Sequence, residues 1–441
     1  MSANTYSMLT TIISQLAGVL ILLHSWGGQL YGEWLVLSAI PIYLSLVNLG
    51  YASSIANDMT TRIAHDDQEG TLVAFHSLIA LISVTALAAA VIAGIALIIF
   101  PVAGWLHLAG LSASSVRWVL ILLAIEVLIQ LFGGISSAGY RAAGEYGLGA
   151  TLNATVILFQ NVAIWSAALS GFGIVGAAVA FLSVRVTGTL IVTGILLRRH
   201  PWLRLGFGRA RLGYIRLLLT PSIASLMIPI SNALKNQGLL LVVNALLGPI
   251  SVVMFSVLRT LTRLSLRLVS VVSRSIEPEV ARAEGNKNRA LQRRLYLAGL
   301  RGSLWLSVLA GIALFFFGNV ILKVWTYGEV PMHQTLFFLL LVASVISAIW
   351  SVPLTMLHAL NRHQRAATVY VLSGIIVLVI AWILIRATES ITWAGFALLI
   401  GDGLCTLYVL VTTSRALQAP LSATLAYVVN PIMMFRNQKN F

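Results

Sequence analysis

The chain has 441 residues, of which 59% are hydrophobic and only 9% charged, with a mean hydropathy of +0.94. Soluble proteins carry about 25% charged residues, so this composition excludes a soluble globular enzyme and implies an integral membrane protein. The excess of 28 Lys and Arg over 13 Asp and Glu, net +15, acquires meaning only when each charge is placed in a span or a connection.

Apolar windows predict an all-α integral membrane protein with about twelve transmembrane helices, near 5–25, 33–56, 72–100, 116–138, 147–169, 172–197, 215–246, 249–273, 295–321, 335–359, 366–386 and 391–414. The first span has no basic stretch before it and no small-residue cleavage site after it, so it is read as a retained helix, not a signal peptide. Pro41, Pro221, Pro229 and Pro353 fall inside spans and predict four kinks. The sole cysteine, Cys405, sits in an apolar helix and builds no disulfide framework.

Basic residues in the connections set the orientation. With the N-terminus inside, the cytoplasmic connections hold Arg62, Arg141, six arginines between 198 and 216, six basic residues between 274 and 294, Arg362 and Arg365, and the tail adds Arg415, Arg436 and Lys439. Those nineteen stand against Arg117, Lys323 and Arg386 outside. Both termini are therefore expected in the cytoplasm. The stretch SSAGYRAAGEYG at 136–147 has a counterpart in LHALNRHQRAA at 357–367, the kind of half-length repeat that transporters show. The expected organisation is two six-helix bundles around a central cavity: residues 1–200, a cytoplasmic linker at 201–214, residues 215–416, and a cytoplasmic tail at 417–441.

Six basic residues remain within spans: Arg185, Lys235, Arg259, Arg263, Arg267 and Arg301. Glu126 and Asp402 are the acids placed deep, so pairing neutralises at most two of the six. Four unpaired cations facing lipid would cost about 12 kcal/mol at roughly 3 kcal/mol each. A water-filled, electropositive cavity removes that cost. Arg259, Arg263 and Arg267 recur at four-residue spacing and so share one helix side. Arg267 and Arg301 lie near cytoplasmic ends, where snorkelling to headgroups is expected. Lys235 belongs to a polar cluster with Asn232, Asn236 and Gln237 in a helix that holds two prolines. Planar guanidiniums suit phosphate oxygens, and a row of them suits a pyrophosphate in successive positions. The candidate substrate-binding residues are thus Arg185, Lys235, Asn236, Arg259, Arg263 and Arg267. Glu126 and Asp402 serve either as charge partners or as carriers of coupled H+ or Na+. No catalytic group, metal spacing, nucleotide loop or resident cofactor is expected.

Three stretches carry a family resemblance. They are YGEWLVLSAIPIYLSLVNLGYASSIANDMTTRIA at 31–64, LKNQGLLLVVNALLGPISVVMFSVLRTLTRLSLRLVSVVSRSIEPEVARAEG at 234–285, and ALNRHQRAA at 359–367. They resemble the Wzx-type O-antigen and polysaccharide flippases of the multidrug/oligosaccharidyl-lipid/polysaccharide exporter superfamily. The resemblance implies two six-helix bundles working by alternating access. It also implies an undecaprenyl-pyrophosphate-linked glycan as substrate, in the inner membrane of a bacterium, with a polysaccharide polymerase and chain-length machinery as partners beside the membrane lipids. It implies no role for nucleic acid, and it places Lys235, Arg259 and Arg263 in the cavity wall. The N-terminal segment lacks the basic residues that such proteins carry before the first span. A multidrug exporter of the same fold and a non-transporting scaffold of a polysaccharide assembly complex are the alternative readings.

Overall fold

Nearly every segment is apolar around its whole circumference, which is how a helix reads when lipid, not water, is its outer solvent. A computed structural model describes residues 3–100, 102–106, 108–360, 364–419 and 421–429. Its helices are α1 Ala3–Ala39, α2 Ile42–Ala64, α3 Gln68–Ile99, α4 Val102–Trp105, α5 Ala113–Ala142, α6 Tyr146–Leu169, α7 Gly173–Arg199 and α8 Leu212–Ala233. After a π-helical turn at Leu234–Gly238 come α9 Leu239–Leu247, α10 Pro249–Thr262, α11 Leu264–Gly285, α12 Arg289–Trp325, α13 Gln334–Ala359, α14 Gln364–Thr388, α15 Thr392–Ala416 and α16 Leu421–Val429. Arg362, Arg436 and Lys439, counted in the orientation argument, lie outside the described residues.

All twelve expected spans fall on helix, and ten stretches of described helix are long and apolar enough to cross a membrane. The difference has two sources. Ala3–Leu46 counts as one stretch although it contains the first span and part of the second. In the eighth span α10 has only 14 residues, and α11 carries Arg267, Arg274, Glu277, Glu279 and Arg282. Large apolar side chains point outward throughout: Ile98 is 82% exposed and Phe316 71%. In water such a surface would aggregate; in a bilayer it is the solvated face.

Local chemistry sets the helix boundaries. Gly27 interrupts α1 at φ 70, ψ 173, a conformation open to glycine at little cost. Pro41 opens α2 after a turn at 40–41, as expected of a proline at a helix start. Asp67 caps α3 by accepting from the Gly70 N–H at 2.8 Å, and Ser112 and Asn288 cap α5 and α12 in the same way.

The helices form two compact units, Met1–Ala233 with Leu247–Val253, and Leu234–Leu246 with Met254–Phe441. In the first, α5 packs on α2, α3 and α7, and α6 lies between α1 and α7. Its core holds Phe75, Leu78, Ile82, Leu131, Tyr140, Leu196 and Leu203. Pro249 belongs here because Gly32 of α1 lies against its backbone; a Cβ on Gly32 would stand 2.3 Å from the Pro249 carbonyl oxygen. In the second unit α15 packs on α13 and α14, and α11, α12 and α13 pack on one another.

The contact boundary at 233/234 differs from the expected one at 201–214. α8 packs along α2, the Tyr43 hydroxyl donates to the Ala233 carbonyl, and the Tyr214 hydroxyl donates to Asp58. Hydropathy locates a span but carries no information about the bundle it joins. The segment after 416 is likewise more than a tail, because α16 packs on α12 and the Trp305 indole donates to the Val428 carbonyl at 3.2 Å.

Candidate functional site

In the second unit the polar centre is built on the π-helical turn. A π turn inserts one residue into a helix and loosens its carbonyl ladder, which frees backbone acceptors and occurs often at functional sites. The Lys235 carbonyl accepts from Arg259 Nη1 at 2.9 Å. The Lys235 side chain, 3% exposed as a residue, donates from Nζ to Asp402 Oδ1 at 2.9 Å. Nζ also stands 4.3 Å from the centre of the Tyr370 ring, a cation–π contact, and 3.7 Å from Cys405 Sγ. The other Asp402 oxygen accepts from the Ser347 hydroxyl at 2.6 Å, and the Cys405 thiol donates to Ser373 at 3.0 Å. Lys235 and Asp402 are therefore fully engaged with each other, as a buried pair must be to offset its desolvation.

The arginine row keeps its geometry although the helix loosens at Arg263. The Arg263 N–H still donates to the Arg259 carbonyl at 3.0 Å, and the Arg267 N–H to the Arg263 carbonyl at 3.3 Å. Arg259 is half-buried with its guanidinium 5.4 Å from the Phe255 ring centre. Arg263 is exposed and donates to Asn236 Oδ1 at 2.9 Å. Thus Lys235, Asn236, Arg259 and Arg263 share one cluster, and Arg267 sits one turn further along, half-buried.

The first unit contains the other predicted pair. Arg185 Nε donates to Glu126 Oε1 at 2.7 Å, and Gln160 Nε2 reaches the same oxygen at 2.9 Å while also donating to the Phe181 carbonyl at 3.2 Å. All three are buried. Beside them a cavity of about 470 Å³ is lined by Arg185, Arg141, Gln130, Asn153, Ser45 and Asn4 among others. Arg141 donates to Asn57 at 2.9 Å and lies over the Tyr146 ring at 5.2 Å.

Three features differ from the expectation or went unseen. Arg301 does not snorkel: it is 8% exposed and stacks over Tyr427 at 5.3 Å, because α16 covers the face that a bare span would present to headgroups. Glu33 is a third buried acid, with Oε1 accepting from Gln29 at 2.8 Å and from the Gly110 N–H at 2.7 Å. Its position at a span's start suggested no burial, because the loop that covers it is remote in sequence. Hydropathy puts Arg141 in a connection, yet the GYR end of α5 brings it to the cavity.

At the α5–α6 turn, outside the spans, Glu145 accepts from Arg199 and pairs with His200 at 3.1 Å. Hydrogen bonds from Arg199 and then His200 lower its carboxyl pKa to about 2.

This architecture is similar to that of solved transporters. One is an inward-facing multidrug resistance MATE family transporter of the MOP superfamily, 16% identical, with a TM-score of 0.72 over 96% of each chain. Another is the lipid II flippase MurJ in an inward closed conformation, 14% identical, TM-score 0.71, covering 98% of this chain and 90% of that one. The chain shares their fold. A third is a MOP superfamily transporter from Pyrococcus furiosus described for the reverse polarity of its binding pocket, 15% identical, TM-score 0.56, covering 96% and 97%. No protein-family model and no curated protein matches the sequence.

Proposed function

We propose that this multi-pass membrane protein is a MOP-superfamily flippase that moves a polyprenyl-pyrophosphate-linked oligosaccharide from the cytoplasmic to the outer leaflet of a bacterial inner membrane by alternating access. The supporting observation is the charge ledger of the spans. Glu126 is taken by Arg185 and Asp402 by Lys235, while Arg259 and Arg263 donate to a backbone carbonyl and an amide and form no ion pair among the described residues. Two guanidiniums on neutral partners retain their full attraction for a diphosphate, and the exposed one meets it first. A cationic drug would need a free carboxylate at depth, and both predicted ones are occupied. Glu33 is sealed beneath the loop at Gly110.

Each charge-assisted hydrogen bond to phosphate contributes about 1.5–3 kcal/mol, so losing two weakens capture by at least about 100-fold. The test is glycan export in cells carrying Arg259→Gln with Arg263→Gln at normal protein level. Lipid-linked glycan should accumulate in the cytoplasmic leaflet, with Arg301→Gln as the unaffected reference. Undiminished export by the double variant refutes the site.

A further inference from the structure

The connection at 200–211 joins α7 to α8 without regular structure, yet backbone atoms and uncharged groups fasten it tightly. Leu203, 1% exposed, plugs into the core beside Tyr140 and Leu196. His76 Nδ1 accepts from the Arg209 N–H at 3.2 Å, so its Nε2 carries the proton and donates to the Arg204 carbonyl at 2.8 Å. The Arg211 N–H donates to the Ser77 hydroxyl at 3.1 Å, and the Ala210 N–H closes a turn onto the Phe207 carbonyl at 3.0 Å.

What this scaffold presents outward is apolar and cationic in alternation. Leu205, Phe207 and Leu212 are 54%, 60% and 63% exposed. Arg204, Arg211 and Arg216 stand exposed between and beside them and form no ion pair among the described residues. Most acids at this end already have a cationic partner: Asp58 and Asp67 pair with Arg62, Glu145 with Arg199, and Glu69 with Arg209 of the connection itself at 3.8 Å, while Asp66 stands exposed in the turn before α3. A loop bathed in water has no use for a rigidly displayed phenylalanine. An interface does, since apolar tips enter the acyl boundary while guanidiniums remain among headgroups. The side richest in arginine faces the leaflet that carries anionic lipid. Because the loop is ordered beforehand, docking immobilises little further chain.

We infer that residues 204–216 form a docking surface for anionic phospholipid, with Leu205, Phe207 and Leu212 seated in the interfacial layer and Arg204, Arg211 and Arg216 on the phosphates. This surface is independent of the transported cargo. An arginine near an anionic leaflet contributes roughly a fivefold preference. Arg204→Gln with Arg211→Gln therefore lowers the enrichment of phosphatidylglycerol over phosphatidylcholine on the purified full-length protein about 25-fold, read by native mass spectrometry. Both substitutions leave the backbone groups that fasten the loop in place. In parallel, a nitroxide on Phe207→Cys, in vesicles of three parts phosphatidylcholine to one of phosphatidylglycerol, collides with oxygen in preference to a water-soluble nickel complex. Equal retention of the two lipids by the native chain, unchanged enrichment in the double variant, or a water-exposed label at 207 overturns the inference.

Discussion

Neutralising Asp402 tests whether the Lys235 pair is the energetic centre of the second unit. At 2.9 Å two unit charges attract by about 6 kcal/mol at an effective dielectric constant of 20, and desolvation of both ions cancels much of that. Stranding one member of such a pair costs about 3–5 kcal/mol. In Asp402→Asn the amide oxygen still accepts from Ser347, and Lys235 keeps the Tyr370 face, so the expected loss is at the lower end, about 3 kcal/mol. Adding Lys235→Met removes the stranded charge. The double variant should then lie within about 1–2 kcal/mol of the native chain, less destabilised than either single one. The assay is reversible unfolding in mixed micelles followed by tryptophan fluorescence, analysed as a double-mutant cycle. A single-variant loss below about 0.5 kcal/mol, the range of ordinary surface changes, refutes the reasoning. So does a double variant whose loss equals the sum of the two.

Two other expectations concern the first unit. Glu145→Gln loses a contribution that is fully present above the ordinary carboxylate pKa of 4.5 and disappears as pH falls through about 2, because the folded pKa is depressed by Arg199 and His200. The melting-temperature gap between native and variant chains should therefore be constant above about pH 5 and close on acidification; a gap that widens in acid contradicts the assignment. Gly32→Ala drives a methyl to 2.3 Å from the Pro249 carbonyl oxygen, a backbone atom with no rotamer to move. It should cost about 3 kcal/mol, the upper end of overpacking penalties, whereas Gly28→Ala, with nothing within 4 Å, serves as the reference in the same unfolding assay.

The spans were legible because bilayer thickness imposes a length and an apolar composition that survive without any knowledge of packing. The same reasoning placed Glu126 and Asp402 at depth, since an isolated acid in such a segment has few other solutions. Which cation each acid chose was not legible: Asp402 takes Lys235 from 167 positions away, and hydropathy carries no such pairing. Glu33 and Arg301 depart from what hydropathy implies for one reason. Each is buried by a piece of chain remote in sequence, the loop at Gly110 and the helix at Leu421–Val429. The allegiance of α8 to the first unit likewise rests on Tyr43 and Tyr214, two side chains that no periodicity singles out.

The π-helical turn at Leu234–Gly238 also bears on how this chain can be compared with others of its fold. One inserted residue advances everything beyond it by about 100° around the helix axis. A protein of the same fold built on an uninterrupted helix would therefore be out of phase with this chain on one side of Lys235. Matched without a gap there, either Lys235 or the buried Asn244 is assigned to the wrong wall. Deleting a single residue between 234 and 238 would do physically what that mismatch does on paper. It would turn one half of the helix against the other and carry the ammonium away from Asp402, a change that no substitution reproduces.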